Sequence, residues 1–518
     1  MTLPLSEARR NGEVISLADS QVLRWLDEIN GIVDADAKAA AIKRELRIVK
    51  RQASSPADRR RIRQLYQELD DIQFKPDYMC LIIDRDRDYR RACRGFTING
   101  VTYKRLLGTT GGIKNSTIVF VNEKHVRELR RRIDNGRDQT KELVPAKFEA
   151  YRALTCSAST TVSFPHGIAV VPDVETTFAD DVVLLDDALD GEPTMESKTG
   201  YSVTMDASDG YGIMLPSLAE RWSGELGLDY TTSGVNTRYA YEKGMVFTFD
   251  FLDYAEKEAD GQYTILDAWG NEVDLRQTEL ILTTSMVKLW DSYESCEDYV
   301  TKSMENGYSF GVTKTCPKEL ESERTLNYQF IQSYDLDGAD VDRLAEQTRA
   351  EFTDVIGGDR MISSLFLQGK GLNERNVRGL PPNWAKAMLA DERVFRDPSI
   401  RNAIYSILRN RIDEAKVGVL KVHGNYSIAS GDPYALCQHI FGQPVTGLLK
   451  AGEIYNKYWA DAGSEKLVCF RAPMSTHENI RAVTPCRRED VQYWYQHMKT
   501  CTVFNAWDTS CAALNGMD

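Results

Sequence analysis

Three stretches of the chain place lysine or arginine where a polyphosphate and a sugar could be held, the first of them on glycine turns. Glycine lets the backbone bend closely around an anion, and the cations offset its charge. The first is Asp209-Gly210-Tyr211-Gly212-Ile213-Met214-Leu215-Pro216-Ser217-Leu218-Ala219-Glu220, followed by Asn236-Thr237-Arg238-Tyr239-Ala240-Tyr241-Glu242-Lys243-Gly244-Met245-Val246. The second is Ser285-Met286-Val287-Lys288-Leu289-Trp290, and the third runs Val468-Cys469-Phe470-Arg471-Ala472-Pro473-Met474-Ser475-Thr476-His477-Glu478-Asn479-Ile480-Arg481. Taken singly, a lysine or arginine is more often an exposed salt-bridging side chain than a ligand contact. Only their grouping argues for chemistry.

Two other segments imitate functional loops. In Leu107 to Ser116 the glycines suggest a phosphate-binding loop, but Ile113 and Asn115 break the contiguous Gly-Lys-Ser/Thr order that converges on one phosphate chain, so a tight turn between strands is the reading. Asp335-Leu336-Asp337-Gly338-Ala339-Asp340 carries closely spaced carboxylates, yet it leads into the helical pattern Val341 to Phe352, which makes its aspartate a helix N-cap. The ten cysteines include no Cys-x-x-Cys pair and are read as buried thiols.

The elements that must position these residues follow from charge and periodicity. The chain has 518 residues, 42% hydrophobic and 27% charged, enough for several soluble domains. No apolar run approaches the roughly 18 residues of a membrane span. The first residues lack a secretory pattern, so the expected compartment is the cytoplasm. A net charge of -13 excludes a global basic field, and any nucleic-acid contact must come from local charge.

Residues 1–74 are expected to form a helical basic hairpin. Between Ala41 and Arg63 nine basic residues face two acidic ones, on two amphipathic periods split at Ser54-Ser55-Pro56, suiting either a solvated face or a phosphate clamp. Residues 75–150 read as a small α/β region, 151–300 as a β-rich block, 301–415 as a helical connector and 416–518 as a second β-rich block. Within the first block, Asp173 to Asp209 holds eleven acidic residues and one basic, Lys198, and reads as an exposed acidic loop.

The order of these motifs resembles the two-barrel RNA polymerases, the cellular RNA-dependent RNA polymerases of RNA silencing and their single-chain phage relatives of the YonO type. In that family a first double-psi β-barrel carries stretches like Asp209 to Glu220, Arg238 to Gly244 and Ser285 to Leu289. A helical stretch like Leu326-Asn327-Tyr328-Gln329-Phe330-Ile331 follows, and then a second-barrel segment like Ala472-Pro473 to His477 and Ile480-Arg481. Tyr328 stands where the family has arginine, and Glu478-Asn479 where it has Pro-Gly-Asp.

The resemblance implies an α/β chain with two double-psi β-barrels, the second incomplete, joined by a helical connector behind a helical N-terminal region. It implies template-directed RNA synthesis from NTPs with Mg2+ by a two-metal mechanism, on an RNA or DNA template, in a phage or its bacterial host. Lys243, Lys288 and Arg238 would contact phosphates during catalysis; Arg471, His477 and Arg481 would bind the incoming nucleotide. The metal would be held by three aspartates of which only Asp518 is present, so the expectation is a fragment of a longer polymerase, inactive alone. The alternative is a non-catalytic nucleic-acid-binding protein derived from such a polymerase.

Overall fold

The computed structural model describes residues 20–505 apart from 33–34, 53–54, 74, 84, 109–116, 187–190, 333, 367–386, 389, 472–473 and 475–478. The chain divides into two units, one comprising residues 1–174, 208–315 and 433–445 and the other 175–207, 316–432 and 446–518. Among the described residues no helix is long and apolar enough to cross a membrane.

In the first unit the basic N-terminal segment forms helices Ala35–Gln52 and Pro56–Gln73. Their apolar stripes, Ala39 and Leu46 on one and Leu65 and Leu69 on the other, pack together and leave Lys43, Arg44, Arg59, Arg60 and Arg63 exposed. Four strands follow: β1 (Tyr78–Ile82), β2 (Phe96–Ile98), β3 (Val101–Gly108) and β4 (Thr117–Asn122), in the order β1-β4-β3-β2. The glycine loop between β3 and β4 lies outside the described residues. Helix Glu123–Asp134 begins at β4, capped by Asn122, whose side chain accepts the Lys124 N–H, and buries His125, Leu129 and Ile133.

The first large sheet lies in this unit. Its strands are β5 (Thr160–Thr161) and β6 (Ile168–Val171), then, after the hairpin of β7 (Glu175–Asp186) and β8 (Thr194–Asp206), β9 (Tyr211–Met214), β10 (Gly234–Arg238) and β11 (Gly244–Thr248). After the small pair β12 (Thr264–Leu266) and β13 (Glu272–Asp274) it closes with β14 (Leu280–Thr283) and β15 (Gly311–Thr315), in the order β5-β15-β10-β11-β9-β14-β6. Central β9 is buried along its length and pairs parallel with β11 and antiparallel with β14. A strand covered on both faces reads as a continuous apolar run, as Tyr211 to Met214 does. Pro216 opens helix Pro216–Glu225 directly after it, where its missing N–H costs nothing, and Leu218, Ala219 and Trp222 face the core. The apolar run Met245 to Phe251 is shorter as a strand than it reads, because Asp250 accepts the Asp253 N–H and starts helix Phe251–Glu258.

The second unit holds β16 (Glu323–Thr325) paired with β17 (Lys421–His423), and the helices Gly338–Gly357 and Pro398–Lys416 between them. Asp337 caps the first of these helices in a reciprocal capping box with Asp340, which accounts for the carboxylates that imitate a metal loop. Its sheet comprises β18 (Ile428–Ser430), β19 (Glu453–Tyr455), β20 (Leu467–Phe470), β21 (Ile480–Pro485) and β22 (Cys501–Phe504), ordered β18-β22-β19-β21-β20.

The acidic segment expected as an exposed loop is instead the β7–β8 hairpin, paired from Glu175↔Asp206 to Asp186↔Thr194. Opposed Phe178 and Val203 pack on Ile454, Val483 and Phe504 of the second sheet. The acidic count hides an alternation in which Thr176 is buried while Glu175, Thr177 and Ala179 face solvent, a strand period that charge alone does not reveal.

The two sheets repeat one topology. In the first, β6-β14-β9-β11-β10 are joined by parallel, antiparallel, parallel and antiparallel pairings. In the second, β18-β22-β19-β21-β20 are joined in the same sequence of senses. Counted along the chain, both read first, fifth, second, fourth, third strand, the double-psi β-barrel arrangement. The two basic segments Arg238 to Gly244 and Arg471 to Arg481 are therefore one connection, third strand to fourth, in two barrels.

Candidate active site

In the first barrel three turns are tied into one knot. Asp173, just after β6, is its hub. Its carboxylate accepts from Ser208 Oγ (2.9 Å), Thr284 Oγ1 (2.5 Å), Ser285 N–H (2.7 Å) and Ser285 Oγ (2.5 Å). Ser285 Oγ in turn accepts the Gly210 N–H (2.8 Å), and Met245 N–H donates to the Gly210 carbonyl (3.0 Å). Lys243 N–H donates to Met286 O and Lys288 N–H to Tyr241 O, each 3.0 Å. A densely hydrogen-bonded polar knot fixes the geometry of what it carries. Two of its residues, Tyr241 (φ 58°) and Leu289 (φ 64°), are non-glycine residues held in the left-handed region, a strain of about 1–2 kcal/mol each that the surrounding bonds must maintain.

The knot presents Asp209, Lys243 and Lys288 at its surface. Lys243 is exposed, and its ammonium forms no hydrogen bond or ion pair among the described residues. Lys288 is less exposed and lies 3.8 Å from Asp209 Oδ1. At that distance and exposure the pair is weak. The first-barrel knot thus offers one uncommitted cation and one loosely held cation on rigid backbone, an arrangement suited to phosphate oxygens.

Arg238 is placed differently. Its guanidinium donates to Asn236 Oδ1 (2.7 Å) and Thr237 O (2.6 Å), and burial pulls it below the usual arginine range, with Glu242 opposing that shift. Glu242 is fully buried, bridges to Val287, and its carboxylate accepts the Thr237 hydroxyl. Burial raises its carboxyl to about 7, opposed by the Thr237 hydroxyl and by Arg238. The unfolded chain ionises this group near 4.5 while the folded protein keeps the proton to about 7, so stability falls as pH rises between those values and the penalty is complete above them. A shift of this size is worth about 3 kcal/mol. Glu242→Gln is therefore expected to melt higher than the parent at pH 8 and no higher at pH 4.5, measured by urea or thermal unfolding. A parallel pH dependence in parent and variant would remove Glu242 as the proton carrier.

In the second barrel, β20 and β21 form a hairpin from Leu467↔Val483 to Phe470↔Ile480. Arg471 follows β20 directly and is exposed, while Arg481 lies on β21 opposite Cys469 and is half-buried. His477 and Asp518 lie outside the described residues. Among the described residues no three histidine, cysteine, aspartate or glutamate side chains group closely enough to hold a metal ion. The sequence reading missed Asp173, Ser208, Thr284 and Glu242. Asp173 counts as one more member of an acidic run, and only the pairing of β6 with β14 sets it against Thr284 and Ser285.

A family profile described as RNA dependent RNA polymerase matches residues 58–510. The chain is 25% identical over 376 residues to the DNA-directed RNA polymerase YonO of Bacillus phage SPbeta, covering 70% of this chain and 42% of that protein. Its fold is similar to that of the RNA dependent RNA polymerase QDE-1 from Thielavia terrestris, with a TM-score of 0.50 and 16% identity over 82% of this chain and 44% of that one. The chain spans less than half the length of either relative.

Proposed function

The chain belongs to the RNA-dependent RNA polymerase family, and from that premise we propose that it serves template-directed RNA synthesis from NTPs in a phage-infected or bacterial cytoplasm. The observation that carries this reading is the first-barrel knot, which holds Lys243 and Lys288 on neighbouring turns of a double-psi β-barrel. Nucleotidyl transfer builds negative charge on the departing pyrophosphate, and preorganised cations stabilise it without reorganising. Lys243 supplies that charge most freely, and Lys288 does so by exchanging Asp209 for a phosphate oxygen. Arg238, engaged with its own strand, acts by holding the turn in shape. Arg471 and Arg481, on the equivalent connection of the second barrel, are assigned to the incoming nucleotide together with His477, because a planar guanidinium can hold ribose hydroxyls or phosphate in a fixed fork. Divalent ions, Mg2+ in this reading, would steady the attacking and leaving oxygens, with Asp518 among their ligands.

The two relatives are named for different templates, so both must be tried. Incorporation of labelled NTPs by the full-length protein, with Mg2+, on single-stranded DNA and on single-stranded RNA tests the reading. Template-dependent product of template length on either supports it. Tight template binding with no incorporation under both conditions would replace it with a nucleic-acid-binding function.

A further inference from the structure

A basic surface outside the knot lies on the small sheet's helix, Glu123–Asp134, where an open cavity of about 620 Å³ is lined by Lys104, Arg127, Arg130 and Arg131 with Glu123 and Asp134. Four cations against two carboxylates make a local excess of positive charge on a chain whose net charge is -13. Glu123, Arg127, Arg130, Arg131 and Asp134 recur at helical spacing on the face opposite buried His125, Leu129 and Ile133. Arg131 is braced by Glu128 and by Asn306 (2.7 Å), and Arg130 donates to Arg105 O (3.0 Å). Arg127 is exposed and forms no hydrogen bond or ion pair among the described residues. The helix itself is anchored: Asn135, which ends it, donates to Tyr293 Oη (3.0 Å) and Ser303 Oγ (2.8 Å) in the first barrel's own unit.

From this geometry we infer that the Arg127–Arg130–Arg131 face is a track for the sugar-phosphate backbone of a nucleic-acid strand, separate from the reacting end. Three features fit a strand. Arg127 and the next arginines stand about 4.5–6 Å apart along the helix axis, so they offer charge in succession to the repeating phosphates of one strand. The cavity is open, so a ligand can run through it. Among the described residues no aromatic side chain lines it to stack a base, so contact is to phosphate without reading sequence. The inference rests on the polymerase reading only in supplying a reason for a strand to be there.

The test is binding of fluorescein-labelled oligo(dT) and oligo(U) to the full chain and to Arg127→Ala/Arg130→Ala across a KCl series, with ATP as a competitor. Both residues are exposed, so unfolding midpoints should match and certify the fold. The double variant should bind one or both oligonucleotides roughly tenfold more weakly at low salt, with the slope of log K against log salt reduced by about 1.4, the amount expected for two lost single-strand phosphate contacts. Which oligonucleotide responds identifies the strand as DNA or RNA. Unchanged affinity and slope for both would overturn the track. Loss of ATP binding with oligonucleotide binding intact would also overturn it, making the cavity a nucleotide site. Incorporation at saturating template separates the two ideas: the variant should match the parent there. A full-length protein that binds through these arginines but never incorporates NTPs leaves the track standing and removes the polymerase reading.

Discussion

Replacing Lys243 by alanine is expected to lower the rate of NTP incorporation by about 10²–10³-fold, with template affinity nearly unchanged. The effect is large because the ammonium is held by a backbone whose N–H is fixed to Met286 O, so nothing else in the knot can move to take its place. It should fall on kcat, since a cation that meets charge developing on pyrophosphate stabilises the transition state more than bound NTP. Lys243→Arg should recover part of the loss, because a guanidinium restores the charge with a different reach. Lys288→Ala should cost less, since Lys288 already shares its charge with Asp209. Single-turnover incorporation beside template binding separates these outcomes, and a Lys243→Ala protein of parental rate would take Lys243 out of the mechanism.

Gly244→Ala is expected to damage the first barrel severely. A Cβ at Gly244 would stand 2.1 Å from the Gly210 carbonyl oxygen and 2.9 Å from Met286 Cγ, so two of the three tied turns must separate to admit it. The first contact is with backbone in a turn that Gly210 already holds at φ +62°, and cannot be relieved by a rotamer change. A loss of about 3 kcal/mol is expected from such overpacking, read as a lower urea midpoint. Incorporation should fall at least as far as in Lys243→Ala, because the turns bearing both lysines are displaced. Gly224→Ala, in helix Pro216–Glu225 with open space around it, is the control and should be neutral or slightly stabilising. Equal midpoints for the two variants would show that the Gly210–Gly244 approach does not constrain the knot.

Much of this was legible in the residues because local chemistry carried it. Ser55-Pro56 starts a helix through its cap and its fixed φ, and Ile168 to Val171 and Leu280 to Thr283 are strands by apolar, β-branched content. Lys243 stood out because glycine and charge coincide at Lys243-Gly244, and Lys288 because its segment falls in the order of the resembled motifs. Asp173, Thr284 and Glu242 did not, because their roles depend on strands distant in sequence coming side by side. The two barrels were reached through the resemblance and not through any shared residue pattern: a topology is fixed by which strands pair and in which sense, and these can agree with no residue in common. The acidic hairpin was misread because net charge outweighed the alternation of Thr176 and Phe178.

Each unit borrows chain from the other's stretch of sequence. The hairpin 175–207 interrupts the first barrel yet belongs with the second, and 433–445 interrupts the second yet belongs with the first, where Phe441 stacks on Tyr254 and Tyr434 meets it edge-on. During translation, then, neither half can finish early. The ribosome must deliver more than a hundred residues beyond Thr315 before the earlier half receives its last helix, and until then Tyr254 offers newly made chain an unfilled aromatic slot. A gene split in the connector would yield two polypeptides that mature only by meeting each other.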